Sequence, residues 1–400
     1  MKTIHNIIGE ISKEIKTLKG KAFFVGGFVR DSFLGLSSKD IDIEVFGIEK
    51  NTLLDILNRF GKTELVGESF EVFKFSCMGE EVDFSLPRRE KKTGVGHKGF
   101  TTIADPFMSP EEAASRRDFT INALMMAVDS KEVLDFFGGL NDIQSKTLKH
   151  TSPAFAEDPL RVLRAMQFAA RFGFDLHPET IELCKSLKPE FRTLSKERLW
   201  IEFEKLFSKG KFLSKGIKAL LDTEWFECFA SLKNEKTSLE ASLTSLDSLT
   251  SPTPASGLAT MLLHVGQPAL FLKEINTPNE ITRTSLELLK ILKSFTESDG
   301  SLSALRVAVG QHKKFCSMED IKGIFPNSLE LFSMLDETSL PPVFTGDDLK
   351  EMGFSPEKLK RNFGDILLKA HELQLKFNLS KEELLSNEDF NELLLKIQTK

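Results

Sequence analysis

Hydrophobic and polar positions change period along the chain. Ile4, Ile7, Ile8, Ile11 and Ile15 recur at helical spacing in MKTIHNIIGEISKEIK, which predicts an amphipathic opening helix. Lys21–Val25 is a short β-prone run that stops at Gly26-Gly27, and residues 40–45 alternate polar and apolar as a half-buried strand does. Residues 71–76, 81–86 and 133–137 predict three more strands, with helical stretches between them. Beyond about residue 150 the strand pattern stops. Residues 158–172, 178–187, 196–207 and 211–221 read as amphipathic helices with short connections. The Ser-, Thr- and Leu-rich stretch 235–257 reads as a loosely specified connection. Residues 258–330 and 345–395 are helical again, on either side of a break at Pro341-Pro342. The expected fold class is α+β: a head with a small mixed β-sheet plus helices, followed by an elongated all-α neck, body and tail. The boundaries fall at 1–147, 148–215, 216–335 and 336–400.

Composition narrows the class of protein. A chain of 400 residues with 40% hydrophobic and 28% charged residues has ample material for several cores. No run approaches the length of a membrane span, so no membrane partner is expected. The N-terminus lacks the apolar core of a signal peptide and the acid-poor, Arg-rich bias of a transit peptide. Cys77, Cys184, Cys228 and Cys316 are far apart and form no CxxC, which argues against structural zinc and a disulfide framework. These features fit a cytoplasmic protein. A net charge of −6 argues against a general polyanion coat but leaves room for local basic patches. The chain has 35 Phe and no Tyr, so no phenol takes part in its chemistry. Phe28 and Phe107 stand where a half-exposed Tyr would be unsurprising, which reads as replacement of Tyr by Phe.

The densest chemistry lies in residues 24–47, FVGGFVRDSFLGLSSKDIDIEVFG. Gly26 and Gly27 follow a strand and precede a helix, so backbone can approach a ligand beside free N–H groups, an arrangement that binds phosphate. Arg30, one turn in, offers a bidentate phosphate contact. Asp40 and Asp42 are two apart, and on a strand both carboxylates share a face. Two carboxylates beside a phosphate cradle suit Mg²⁺, which takes a few carboxylates and fills its shell with substrate oxygens. A Gly-Gly turn or a DxD alone is commonplace; their order within about 20 residues is what gives the signal weight.

That segment resembles the signature of the class II nucleotidyltransferases, which comprise the tRNA nucleotidyltransferases and bacterial poly(A) polymerases. The likeness continues in order downstream. Residues 116–123, RRDFTINA, are similar to the second motif of that family, and residues 135–142, DFFGGLND, to its third. Residues 157–164, EDPLRVLR, are similar to the fourth, and Glu197-Arg198 through Glu204-Lys205 to the fifth. The resemblance covers about residues 20–225 and makes the domains a catalytic head, a nucleotide-selecting neck, a helical body and an RNA-binding tail.

The resemblance implies Mg-dependent, template-independent addition of CCA to the tRNA 3′ end and acceptor arm from CTP and ATP, with an A-adding specialist, a poly(A) polymerase or a non-catalytic RNA-binding remnant as alternatives. Asp40 and Asp42 would hold two Mg²⁺ ions. Gly26, Gly27, Arg30, Arg117 and Asp118 would contact triphosphate and ribose. Glu157, Asp158, Arg161 and Arg164 would select the base, Asp158 and Arg161 acting as the template pair. Asp158, Arg161 and Arg164 fall near one helix face, where Arg–carboxylate pairing would fix their geometry. Asp83, on a candidate strand of the head, is a candidate third carboxylate.

Two departures from the family pattern stand out. Gln167 occupies a position where a third arginine is frequent. In GLATMLLHVGQP, His264 is followed by Val265 rather than Asp, and the other histidines do not cluster, so a metal phosphohydrolase site is not expected. Arg88, Arg89 and Lys98 lie in a Lys-, Arg- and Gly-rich stretch that matches the family's flexible loop, which implies competence for A addition. Lys358, Lys360 and Arg361 form a weak basic candidate for RNA phosphates in the tail. The sequence leaves the oligomeric state open.

Overall fold

A computed structural model describes residues 3–38, 40–66, 72–92, 100–298, 302–312, 316–325, 342–359 and 361–398. The chain divides into two compact units, Met1–Lys233 and Asn234–Lys400. The first is α+β and the second, among its described residues, is helical.

The expected opening helix is α1 (Ile4–Thr17), capped by the Thr3 side chain, with Ile7, Ile8, Ile11 and Ile15 buried. This stripe packs with the buried face of α3 (Lys50–Phe60) on one side of a sheet whose core residues include Phe24, Phe73, Phe75 and Phe84. The sheet has seven strands in the order β3-β4-β5-β2-β1-β8-β9. These are β1 (Lys21–Val25), β2 (Asp42–Phe46), β3 (Lys62–Val66), β4 (Val72–Cys77), β5 (Glu80–Ser85), β8 (Met125–Ala127) and β9 (Val133–Leu134). β2 and β5 run parallel and the other neighbours antiparallel, so the sheet is mixed as expected. A separate hairpin, β6 (Arg88–Lys92) and β7 (Phe100–Ala104), follows β5.

Three local expectations need correction. The strand expected over 40–45 begins only at Asp42, because pairing starts where Asp42 meets Asp83 on β5; Asp40 precedes it in irregular backbone. The helix expected from residue 158 is α6 (Leu160–Phe172), preceded by a 3₁₀ turn over Pro153–Glu157, which leaves Asp158 outside it. The connection expected over 235–257 is largely helical: α10 (Lys236–Ala241), α11 (Leu243–Asp247) and the start of α12 (Pro254–Met261). Leu239 and Leu246 are buried there. The hydroxyl groups cap and brace rather than form a loop: Thr253 and Ser256 make a reciprocal capping box, and the Ser242 hydroxyl donates to the Met261 carbonyl. A two-residue parallel pairing of Thr147–Leu148 with Asp175–Leu176 also extends strand structure past residue 150.

α6 carries the second half of the first unit. Its buried face, including Leu163, Met166 and Phe168, packs against α8 (Lys196–Lys209) and α9 (Leu213–Asp222). Gly173 ends it in the left-handed conformation, φ 72°. In the second unit the residues 326–341, which include Pro341 of the expected break, lie outside the described residues. A C-terminal cluster there buries Phe344, Leu349, Ile366, Leu373 and Phe390. His264 sits in an exposed turn. The four cysteines are unpaired. Among the described residues no helix is long and apolar enough to cross a membrane.

Candidate active site

β1 ends at Val25 and the chain turns through Gly26, φ 65°, into α2 (Gly27–Phe33). That positive φ favours glycine, and a Cβ at Gly26 would stand 3.1 Å from Arg117 Nη1 and 3.9 Å from an Asp42 carboxylate oxygen. The turn therefore brings bare backbone against two expected site residues. It forms part of the wall of a cavity of about 530 Å³, a size suited to a small-molecule ligand. Its lining includes the carboxylates Asp42, Glu44, Asp83, Asp118 and Asp158, interleaved with Arg30, Arg88, Arg116, Arg117, Arg161, Arg164 and Arg198.

Strand register explains the carboxylates. Asp42 and Glu44 are two apart on β2 and share a face, and Asp83 is the parallel partner of Asp42. Burial raises the Asp42 pKa above the usual carboxylate value; Arg117 opposes this, while Asp83, Asp40 and Glu44 add to it. Asp83 is raised as well, by burial first and then by acidic neighbours, with Lys74 opposing. Asp40 is exposed and is not part of the cavity wall, although its charge reaches both neighbours. Asp83 thus joins Asp42 on the cavity wall, with the charge of Asp40 acting on both. Among the described residues no group of three His, Cys, Asp or Glu forms a closed metal cage. An all-oxygen carboxylate pair on an open wall nevertheless fits Mg²⁺, whose remaining positions go to water and substrate oxygens.

The arginines divide by what already holds them. Arg30 is buried, and its guanidinium donates to Asp31 at 2.8 and 2.6 Å and to the Asn122 side-chain oxygen at 2.6 Å. It also lies over Phe172, 4.6 Å from the ring centre. The expected phosphate ligand is therefore committed to protein partners, because Asp31 beside it supplies the anion. Asn122 passes the restraint on by donating to Asp118 at 2.8 Å. Asp118, buried, also accepts from the Phe119 N–H at 2.9 Å and from Arg164 Nε at 2.8 Å, and its second oxygen lies 2.7 Å from Arg164 Nη2 in an ion pair. Burial pushes the Asp118 pKa up, but Arg164 and Asn122 outweigh it and the net shift is downward. Arg164 is raised in turn, chiefly by Asp118. The third motif braces this unit from outside: Asp135 accepts from the Gly139 and Leu140 N–H groups, and a Cβ at Gly139 would stand 2.3 Å from the Thr120 carbonyl oxygen.

At the neck, Asp158 accepts from the Leu160 N–H at 3.1 Å and from Arg198 at 2.7 Å. The side chains of the expected Asp158–Arg161 pair take separate partners, and the two residues meet through the Arg161 N–H, which donates to the Asp158 carbonyl at 3.0 Å. The Arg161 guanidinium donates to the backbone carbonyls of Ala154 at 2.6 Å and Arg116 at 2.8 Å, because the 3₁₀ turn before α6 turns a carbonyl toward it. Glu157 is exposed and does not line the cavity, being the last residue of that turn. Gln167, at the expected third-arginine position, is buried on α6 and is absent from the cavity wall. Arg117 meets only the far end of Glu44, at 3.5 Å. Arg88 lines the cavity, whereas Arg89 pairs with Asp105 and Glu112 at 2.7 and 2.6 Å, anchoring the β6–β7 hairpin to α4 (Pro110–Ser115). Lys98, Lys360 and the side chains of Lys358 and Arg361 lie outside the described residues. Glu44 and Asn122 join the cavity wall, and Asp31 supports it through Arg30, without having been singled out in the sequence; Glu44 was visible as the next step of the Asp40-Asp42 alternation.

A mixed sheet carrying Asp42 and Asp83 thus borders, at a Gly-Gly turn into a helix, a cavity lined by carboxylates and arginines. Residues 22–149 match the family model described as the poly A polymerase head domain, and residues 173–230 that described as the probable RNA and SrmB-binding site of polymerase A. The likeness to these two family models is confined to those regions of the chain. The multifunctional CCA protein of Pasteurella multocida is 45% identical over 190 residues, which are 46% of this chain and 43% of that protein. The protein of the same name from Tolumonas auensis is 43% identical over 191 residues, covering 46% and 45%. The chain thus matches less than half the length of these relatives. In fold it is similar to the CCA-adding enzyme of Bacillus stearothermophilus solved with CTP, with a TM-score of 0.64 and 22% identity over 100% of this chain and 99% of that one. It is also similar to the Thermotoga maritima CCA-adding enzyme solved with tRNA, with a TM-score of 0.59 and 22% identity over 98% and 95%.

Proposed function

We propose that the chain is a template-independent RNA nucleotidyltransferase that adds C, C and A to tRNA 3′ ends from CTP and ATP and releases pyrophosphate. The observation that carries this reading is one cavity lined by Asp42, Asp83, Arg117, Arg164 and Asp158 together. The names of the relatives and of the solved neighbours support the choice of tRNA, CTP and ATP.

Asp42 and Asp83, with Asp40 at the rim, would hold magnesium, two ions on this reading. When bound, magnesium supplies positive charge to the triphosphate and makes the RNA 3′-hydroxyl more acidic. The bond from that oxygen to the α-phosphorus forms as the bond to pyrophosphate breaks, and the protein's part is positioning and charge. Arg117 takes the triphosphate, aided by backbone at Gly26 and Gly27. Asp158 and Arg164 offer an acceptor and a donor to the base edge, held by Arg198 and Asp118 respectively. Arg30 and Arg161 act one layer back, fixing Asn122 and the turn before α6.

The test uses tRNA transcripts lacking CCA, ending in C, or ending in CC, each given CTP, ATP or both with Mg²⁺, and product lengths read on a sequencing gel. Addition that stops at CCA on every substrate is expected. A single A placed only on the CC-ended transcript would mean an A-adding specialist, an A ladder a poly(A) polymerase, and no extension with tight tRNA binding a non-catalytic remnant.

A further inference from the structure

Glu44 lines the cavity, yet the chemistry proposed for the site does not use it. Its side chain is only 6% exposed, a position where a carboxylate needs a partner. The strand alternation places it on the same face as Asp42, two residues on. Arg117 Nη2 reaches its Oε2 at 3.5 Å, the outer limit of a hydrogen bond. Arg117 is itself held loosely: its buried Nε has no hydrogen-bond partner, and its Nη1 lies beside Gly26. The other arginines traced above contrast with this, since Arg30, Arg161, Arg164 and Arg198 each make bonds of 2.8 Å or less.

We propose that Glu44 is a positioning residue that stands in for phosphate: it holds Arg117 against the Gly26 turn while the cavity lacks nucleotide, and surrenders it to the incoming triphosphate. The inference rests on the assignment of Arg117 to the triphosphate. A loose internal anion keeps the guanidinium aimed at the cavity without a strong bond to break. It also competes with the ligand, weakening triphosphate and pyrophosphate alike and so favouring release of the product. A second effect follows from position. Two residues from Asp42, a permanent negative charge at Glu44 repels the phosphate chain unless Arg117 screens it.

The experiment measures ATP affinity by calorimetry in EDTA, so that metal binding does not enter, for the full-length protein and its E44Q, R117Q and doubly substituted forms. E44Q is expected to bind ATP about fivefold more tightly, the scale of a partly buried ion pair. R117Q is expected to bind it more weakly, and adding E44Q to R117Q should change affinity less than about twofold. Pyrophosphate inhibition of nucleotide addition should deepen in E44Q in the same proportion. An E44Q protein that binds ATP no better, or one whose gain is equally large without Arg117, overturns the role of Glu44 while leaving Arg117 as the triphosphate ligand. Unchanged affinity in R117Q overturns the triphosphate assignment itself. If E44Q melts early, Glu44→Asp serves instead: it keeps the charge but draws it back from a contact already at its limit, so tighter ATP binding is again expected and weaker binding refutes the inference.

Discussion

Replacing Asp118 by Asn isolates the bond on which the selecting arm depends. The carboxylate is 8% exposed and accepts three hydrogen bonds, from Phe119 N–H and Asn122 on one oxygen and from Arg164 Nε on the other, which also lies 2.7 Å from Arg164 Nη2 as an ion pair. Asn keeps the shape and the first oxygen's two bonds. At the second position it presents an NH₂ group to the Arg164 donors, so donor faces donor and the charge that balanced the guanidinium is gone. Breaking a buried pair by removing one partner costs about 3–5 kcal/mol. Arg164 is 33% exposed, so water recovers part of this, and the expected loss is about 2–3 kcal/mol. Urea unfolding at pH 7, followed by circular dichroism, measures it. Arg164→Gln and the double variant complete a cycle whose coupling should reach about 2 kcal/mol. Because Arg164 is then free to turn, CTP and ATP should be confused on a CC-ended transcript even where total incorporation survives. A loss below about 1 kcal/mol, or a coupling near zero, would show that Arg164 is held by something other than Asp118 and refute the reasoning.

Three further outcomes are expected. Asp42→Ala should abolish incorporation while leaving tRNA binding, read by gel shift, nearly unchanged; in EDTA, Asp42→Asn should raise the melting midpoint by about 2–4 °C, because burial and acidic neighbours oppose ionisation in the folded chain. Asp158→Ala should blur the choice between CTP and ATP more than it slows transfer, and Arg198→Ala should do the same to a lesser degree, since Arg198 holds one Asp158 oxygen. The pKa of Asp118 is depressed on folding, so its contribution is present above its unfolded value, about 3.9, and is lost as pH falls through the folded value. The stability gap between the native chain and the Asp118→Asn variant should therefore close on acidification through that window, and a gap independent of pH below 4 would contradict the assignment.

Much of the head was legible because its signals are local. The α1 stripe and the Gly-Gly turn each follow from spacing along a few residues. The Asp42–Asp83 meeting was less so, since parallel neighbours separated by a crossover share no local pattern, and Asp83 could be suspected only from strand candidacy. Residue 40 shows the limit of period alone. Its alternation with Asp42 is real, but strand geometry needs a hydrogen-bonded neighbour, and pairing begins at Asp42. The stretch 235–257 shows the converse. Its Ser and Thr residues suggest a loop by composition, yet buried Leu239 and Leu246 with hydroxyl caps make it helical.

The arginines were hardest to read, and the reason is physical. A guanidinium on a site motif looks the same in sequence whether it meets a ligand or a protein carboxylate. What separates the two is whether an anion or carbonyl is already within reach when the chain folds. Arg30 has Asp31 next to it and Asn122 across from it; Arg161 has two carbonyls. Both guanidinium groups already have protein partners at 2.8 Å or less. Arg117 has one stretched hydrogen bond, to Glu44, beside the charge of Asp42, and a triphosphate would offer its planar fork a bidentate partner. By the same argument a charge-conserving Arg117→Lys change does not preserve the site. A lysine keeps the charge but gives up the planar fork that could meet phosphate bidentately once Glu44 has released it.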